Sequence, residues 1–355
     1  MKQSLLLLFV ILSGITFAQN RPQEPKEPFK YRTEDVVFRN EADSIELAGT
    51  LTLPKKGKNF PAVVLISGSG AQDRNSEILG HKPFLVIADY LTKNGIAVLR
   101  VDDRGTGKSE GNYNEASLDD FVRDAESAFD FLKSHKKIDD SRIGLVGHSL
   151  GGVIAPIIAS KNDEVAFIVM LAGSGIRGDQ LMLLQKEVIE RGMSVPESAV
   201  EMGQKNMRGA YEIILESPEN DEVLTDDLET YFTEVFGGVI PKAQIETIAE
   251  QLSYPWLADF IRFDPKTALS KTNCPVLALN GSKDVQVPPT ENLEEIEAAL
   301  TEGGNSNVTT KELEGLNHLF QECETGLPIE YAKIEETFSP KALQIMSDWI
   351  LKQAK

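Results

Sequence analysis

Four short, nearly continuous apolar runs mark the first half of the chain: FPAVVLIS from Phe60, GIAVLRV from Gly95, RIGLVG from Arg142 and VAFIVMLAG from Val165. Unbroken Val, Ile and Leu of this length fit strands buried on both faces, as in a parallel sheet. Between them the period changes. KPFLVIADYLTKN and SLDDFVRDAESAFDFLKSH read as helices, the second with Ser117 as N-cap and an apolar stripe of Leu118, Phe121, Val122, Ala125, Ala128, Phe129 and Leu132. Upstream, SIELAGTLTLP alternates and predicts an antiparallel strand. Strands and helices in alternation predict an α/β protein with a mostly parallel, doubly wound sheet.

After Gly173 the strand rhythm stops for about ninety residues, and the text becomes helical, acidic and broken by turns. It returns with CPVLALNGSKD and NVTTKELEG, then closes on a helix, SPKALQIMSDWILKQ. The pattern predicts a core of residues 19–174 and 264–355 interrupted by a helical cap insertion at 175–263. Such an insertion is expected over the C-terminal ends of the strands, where open α/β sheets bind ligands.

The N-terminus changes the picture of where the protein works. Lys2, an apolar run from Leu5 to Leu12 and small residues at Thr16 and Ala18 predict a secretory signal peptide over residues 1–18, cleaved near Ala18. The run is too short to span a bilayer, and no later stretch is apolar enough. The mature protein is expected to be exported, periplasmic or secreted. A net charge of −19 opposes nucleic acid as a partner. Oligomeric state is not legible. The two cysteines, Cys274 and Cys323, are too few for a disulfide framework. Cys274 is expected at the N-terminal end of the strand PVLALN, opposite the active-site edge, and Cys323 five residues past His318 on the active-site side. That separation, a strand's length, is farther than a disulfide reaches, so both thiols should be free.

Candidate chemistry centres on GHSLGG. Gly147 and Gly151 flank Ser149 at the end of an apolar strand, where the missing side chains allow a tight strand-to-helix turn that presents the serine hydroxyl. A nucleophilic serine needs a base, and the chain has four histidines. His148 should point away from its neighbour, His135 lies in a basic helix end, and His81 precedes the elbow. His318, in LEGLNHLF, follows the last expected strand and is the candidate base. Asp284 ends the strand before it and is the candidate acid, placed better than Asp264 or Glu312. The oxyanion of an acyl-transfer intermediate needs two backbone donors. The Leu150 amide and that of Ser69, in preference to Gly70, are expected to supply them. Trp256, Phe260, Leu319 and Phe320 are candidates to line the substrate pocket. Histidines and cysteines show no ligand spacing, so no metal or other cofactor is expected. The Gly-Lys-Ser at 107–109 is not a phosphate loop, because Asp103 and its neighbour stand where that pattern asks for glycine.

From about Phe60 to Lys352 the chain resembles the bacterial α/β-hydrolases of the serine-aminopeptidase-like and carboxylesterase group. The matching stretches are SGSGAQDRN, LRVDDRGTGKSEG, GHSLGG, LALNGSKDVQVP and LEGLNHLF. The order Ser149, Asp284, His318 is also that family's. Many relatives carry a histidine where this chain has Ser67; the donor needed there is a backbone amide, so the change does not threaten the oxyanion hole. In the family's structural loop, Asp103 and Arg104 would brace neighbouring loops. The resemblance implies hydrolysis of small-molecule carboxylic esters of small or medium acyl groups. Peptidase or amidase activity, acyl transfer, and a noncatalytic binding protein on the same scaffold are the alternatives.

Overall fold

The computed structural model describes residues 20–218 and 222–354. The expected signal peptide therefore lies outside the described residues. Eight strands form one sheet: β1 (Arg32–Asn40), β2 (Ile45–Leu53), β3 (Phe60–Ile66), β4 (Ala97–Val101), β5 (Ile138–His148), β6 (Ile168–Leu171), β7 (Val276–Gly281) and β8 (Val308–Leu313). Their spatial order is β1-β2-β4-β3-β5-β6-β7-β8. Only the β1–β2 and β2–β4 pairings are antiparallel; from β4 to β8 every neighbour is parallel. All the central strands thus deliver their C-terminal ends to the same edge, the edge at which such sheets carry ligands.

β1 is a strand that the sequence pattern did not disclose. Of its nine residues only Phe38 and Asn40 are buried, and it pairs along its whole length with β2 at the rim of the sheet. An edge strand with charged residues on its open side has little apolar periodicity to show.

Helices cover both faces. α1 (Pro83–Lys93) sits on one, where Phe84, Ile87 and Leu91 share a core with Val63, Leu65, Val98, Val146, Val169 and Leu277. The opposite side chains of the same strands, Val64 and Ile66 among them, face α2 (Leu118–Ser134) through Phe121, Ala125 and Ala128, and α3 (Leu150–Ala159) through Leu150 and Ile154. This period-two division is what near-continuous apolar strands are for.

The chain divides into two compact units. One comprises Arg177–Asp264 together with Asn114–Asp119. It contains α4 (Gly178–Gly192), α5 (Glu197–Glu216), α6 (Leu224–Phe236), α7 (Lys242–Leu252) and α8 (Pro255–Arg262). Its core follows helical spacing, as in Leu224, Leu228, Phe232 and Phe236 of α6 or Ile245, Ala249 and Leu252 of α7. The short segment at 114–119 was expected to belong to the other unit. It joins this one because Trp256 donates its amide to the Ala116 carbonyl (2.9 Å) and the Leu118 amide donates to Asp259 Oδ2 (3.1 Å).

The other unit holds the sheet, α1, α3, most of α2, and the closing helices α9 (Lys266–Leu269), α10 (Pro289–Glu302), α11 (Pro328–Tyr331) and α12 (Pro340–Gln353). α12 packs Leu343, Met346 and Ile350 into the same core as α1. Cys274 and Cys323 are both free thiols, and burial pushes the Cys274 thiol up to about 12. Among the described residues no helix is long and apolar enough to cross a membrane.

Candidate active site

β5 runs directly into α3, and Ser149 is the single residue of the turn. Its backbone sits at φ 54°, ψ −115°, a conformation that an L-residue adopts only under constraint. The constraint is close packing. A Cβ on Gly147 would stand 1.9 Å from the Gly151 carbonyl oxygen, and one on Gly151 would stand 2.2 Å from that of Ile66. The glycines two residues before and two after the serine are therefore required by contact. A hydrogen bond from the Ser149 amide to the Leu171 carbonyl (2.9 Å) ties the turn to the end of β6.

Asp284 and His318 follow β7 and β8, and the structure joins them. His318 Nδ1 lies 2.8 Å from Asp284 Oδ2, with both side chains buried. Asp284 Oδ1 accepts the amides of Gln286 (2.8 Å) and Val287 (2.9 Å), which fixes the carboxylate's direction. Because a carboxylate accepts, the proton on His318 resides on Nδ1 and Nε2 is left with its lone pair. The two loops are laced together by Ser282 N–H to Leu313 O (2.9 Å), Lys283 N–H to Leu316 O (2.9 Å) and Gly315 N–H to Ser282 Oγ (2.9 Å).

Asn317, one residue before the histidine, escaped sequence reading. Its Oδ1 accepts the amides of Leu319 (3.0 Å) and Gln321 (2.9 Å), closing the turn that carries His318. An asparagine beside a histidine in a loop was the only available signal.

The remaining histidines have structural surroundings. His148 Nε2 is 2.9 Å from the His318 carbonyl oxygen, and the two imidazoles lie 4.8 Å apart. Burial, with His318 nearby, pushes the His148 imidazole down to about 3, so it stays neutral. His81 is fully buried, between Thr337 Oγ1 (3.0 Å) and the Tyr331 carbonyl (3.0 Å). His135 faces the Glu34 carboxylate at 3.5 Å.

After β3 the chain passes Ser149 at Gly68, where a Cβ would stand 3.2 Å from the Ser149 Cβ. Of the two candidate amides in this loop, that of Gly70 is already given to Tyr113 Oη (2.8 Å). Ser69, the other candidate donor, is an exposed residue. The Leu150 amide opens α3 and has no intrahelical acceptor.

Asp102, Asp103 and Arg104 form the frame behind this loop. Asp102 grips the Arg74 guanidinium with both oxygens (3.0 and 2.7 Å), and the carboxyl is lowered because Arg74 and two backbone amides outweigh the effect of burial. Arg104 is buried among Asp43, Asp120 and Asp124. Asp103 bonds to Ser67 and Gln72, and burial raises its carboxyl to about 7.

The four residues expected to line a substrate pocket do not offer an open apolar surface. Phe320 is a core residue, with no exposed area, stacked on Phe338 at 5.2 Å and edge-on to His148. Trp256, Phe260 and Leu319 are 4%, 9% and 7% exposed. Large aromatic rings are drawn into cores before they are available to ligands. Among the described residues, no group of three or more His, Cys, Asp or Glu side chains is placed to hold a metal ion.

Comparison with known proteins identifies the family and the fold. Residues 82–324 match the family described as Serine aminopeptidase, S33. The chain is 30% identical over 352 residues to the esterase EstD of Thermotoga maritima, an alignment covering 96% of this chain and 74% of that protein. The solved structure of the Pyrococcus furiosus esterase Pf2001 superposes with a TM-score of 0.57 at 15% identity, covering 95% of this chain and 98% of that one. The α/β hydrolase GrgF from Penicillium superposes at 0.55 with 18% identity, covering 91% and 99%. Those likenesses extend the shared fold over nearly the whole length. The chain belongs to the serine aminopeptidase S33 family, and so to the α/β-hydrolase enzymes.

Proposed function

We propose that the protein is a carboxylesterase acting through Ser149, His318 and Asp284 by way of an acyl-enzyme. The observation that carries the reading is the Asp284–His318 hydrogen bond, which leaves His318 Nε2 free to take a proton at the edge where Ser149 emerges. Similarity to an esterase over 96% of the chain supports the choice of bond.

In the proposed reaction Ser149 Oγ attacks the ester carbonyl carbon as its proton passes to His318 Nε2. Asp284 holds the imidazolium through Nδ1–H and remains a carboxylate. The carbonyl oxygen becomes an oxyanion facing the Leu150 and Ser69 amides. Collapse breaks the bond to the alcohol, which leaves with the proton from His318. A water, deprotonated by the same nitrogen, then attacks the acyl-enzyme; the bond to Ser149 Oγ breaks, His318 returns its proton to that oxygen, and the acid is released. A neutral His148 beside His318 suits this cycle, because no second positive charge opposes the imidazolium.

The helical unit leaves the chain after β6 and rejoins it before β7, between the proposed nucleophile and acid. That placement supports a role for it as a cap selecting acyl groups of small to medium size. Residues 1–18 are proposed to direct export and to be removed near Ala18; an N-terminal sequence of the mature protein tests this. The esterase reading is tested with p-nitrophenyl esters of graded acyl length beside aminoacyl anilides. Turnover of the esters with little of the anilides is expected. Preferential anilide cleavage would make the protein a peptidase.

A further inference from the structure

We propose that Asp103 is a positioning residue for the oxyanion-binding loop, a single carboxylate that fastens both ends of the segment from Ser67 to Gln72. The inference rests on the proposed role of the Ser69 amide, which hangs between those ends. At one end Ser67 Oγ–H donates to Asp103 Oδ1 at 2.5 Å. At the other the Gln72 amide donates to Asp103 Oδ2 at 2.9 Å, and the Asp103 amide donates back to the Gln72 carbonyl at 3.0 Å. Tyr113 Oη holds a third point by accepting the Gly70 amide.

The loop packs against the elbow at Gly68 and is less closely packed beyond it. A cavity of about 50 Å³ borders Ser67, Gly68, Asp103, Tyr113 and Leu150, so one side of the loop rests against empty space. On the side that a Gly70 Cβ would occupy there is nothing within 4 Å. Beyond Gly68 the loop takes its position from directional hydrogen bonds, and both oxygens of Asp103 accept one whether or not the carboxyl is ionised. The Asp103 carboxyl is deeply enclosed although the residue as a whole is only partly buried. Burying a carboxyl without partners is costly, and here each of its oxygens accepts a hydrogen bond. An oxyanion donor is useful only within a narrow range of distance, so a loosened segment should slow the chemistry more than it weakens substrate binding.

The test compares Ser67→Ala, Ser67→Thr and Asp103→Asn with Ser149→Ala, measuring kcat, KM, thermal midpoint and the rate of phosphonylation by a fluorophosphonate. Asp103→Asn is expected to lower kcat about 10-fold and Ser67→Ala about 3-fold, part of the ~10²-fold or greater loss for deleting an oxyanion donor. Phosphonylation should slow in parallel, with KM changed by less than about twofold. Ser67→Thr, which keeps the hydroxyl, should restore the rate. Should Asp103→Asn fail to fold, the Ser67 pair decides. Wild-type kcat in Ser67→Ala and Asp103→Asn beside an inactive Ser149→Ala would overturn the role of Asp103 alone. Equal slowing by Ser67→Thr and Ser67→Ala would do the same, assigning the effect to packing. An active Ser149→Ala would overturn the esterase reading itself, and this inference with it.

Discussion

The imidazole of His148 stands 4.8 Å from that of His318 and donates its Nε2 proton to the His318 carbonyl oxygen at 2.9 Å. A carbonyl can only accept, so the Nε2–H tautomer is the one that fits. The residue before the elbow serine thereby grips the backbone of the proposed base while staying uncharged.

Burial of His148, with His318 nearby, sets a pH dependence of stability, which the hydrogen bond to the carbonyl only partly offsets. The folded-state value of His148, about 3, is depressed below its ordinary 6.5. Its contribution is therefore complete above about pH 6.5 and is lost as pH falls toward about 3, where the unfolded chain binds the extra proton. His148→Gln keeps an N–H donor and does not titrate. Between about pH 7 and about pH 5 the wild type should lose about 1–2 kcal/mol more than this variant, read from urea unfolding. Parallel declines would mean that His148 is free to protonate in the folded protein.

Asp284→Asn should preserve the fold and remove most of the activity. The Asn oxygen can still accept the amides of Gln286 and Val287, but its NH₂ then faces His318 Nδ1. The imidazole is driven to the other tautomer and loses its acceptor at Nε2, a change worth about 10⁴ in kcat. A thermal midpoint near wild type with activity reduced less than about 10-fold would argue against Asp284 as the orienting acid.

Gly147→Ala and Gly95→Ala separate contact from backbone strain. At Gly147 the new methyl would enter the Gly151 carbonyl, 1.9 Å away, with backbone rather than a flexible side chain in its path. A loss of about 3 kcal/mol or more, or no folded protein, is expected. Gly95 has φ +95° and nothing within 4 Å, so alanine there should cost only about 1–2 kcal/mol of strain. Denaturant midpoints for the two variants check the ordering.

The catalytic candidates were picked out by their position after strands: Ser149 after β5, Asp284 after β7 and His318 after β8. Near-continuous apolar runs announce parallel strands, and parallel strands deliver their ends to one edge. What sequence could not reveal depends on tertiary partners. β1 becomes a strand by pairing with β2, not through a pattern of its own. Asn114–Asp119 joins the helical unit through two hydrogen bonds to residues more than a hundred positions away. Phe320 was expected to line the pocket, yet at φ +59° its ring turns into the core against Phe338.

Phe320→Ala tests that reassignment. Loss of a fully buried ring should cost about 3–5 kcal/mol and lower the thermal midpoint sharply. The ranking of esters by acyl length should be unchanged in the protein that remains folded. An altered ranking at nearly unchanged stability would restore Phe320 to the substrate pocket.

The claim on which the rest depends is that Ser149 is the nucleophile, and covalent labelling reads it directly. Purified protein is treated with a fluorophosphonate, weighed intact and mapped by peptide mass spectrometry, alongside Ser149→Ala. One phosphonyl group per chain, located on Ser149 and missing from a folded Ser149→Ala, is the expected result. Equal labelling of the variant, or a label on any other residue, would contradict the account.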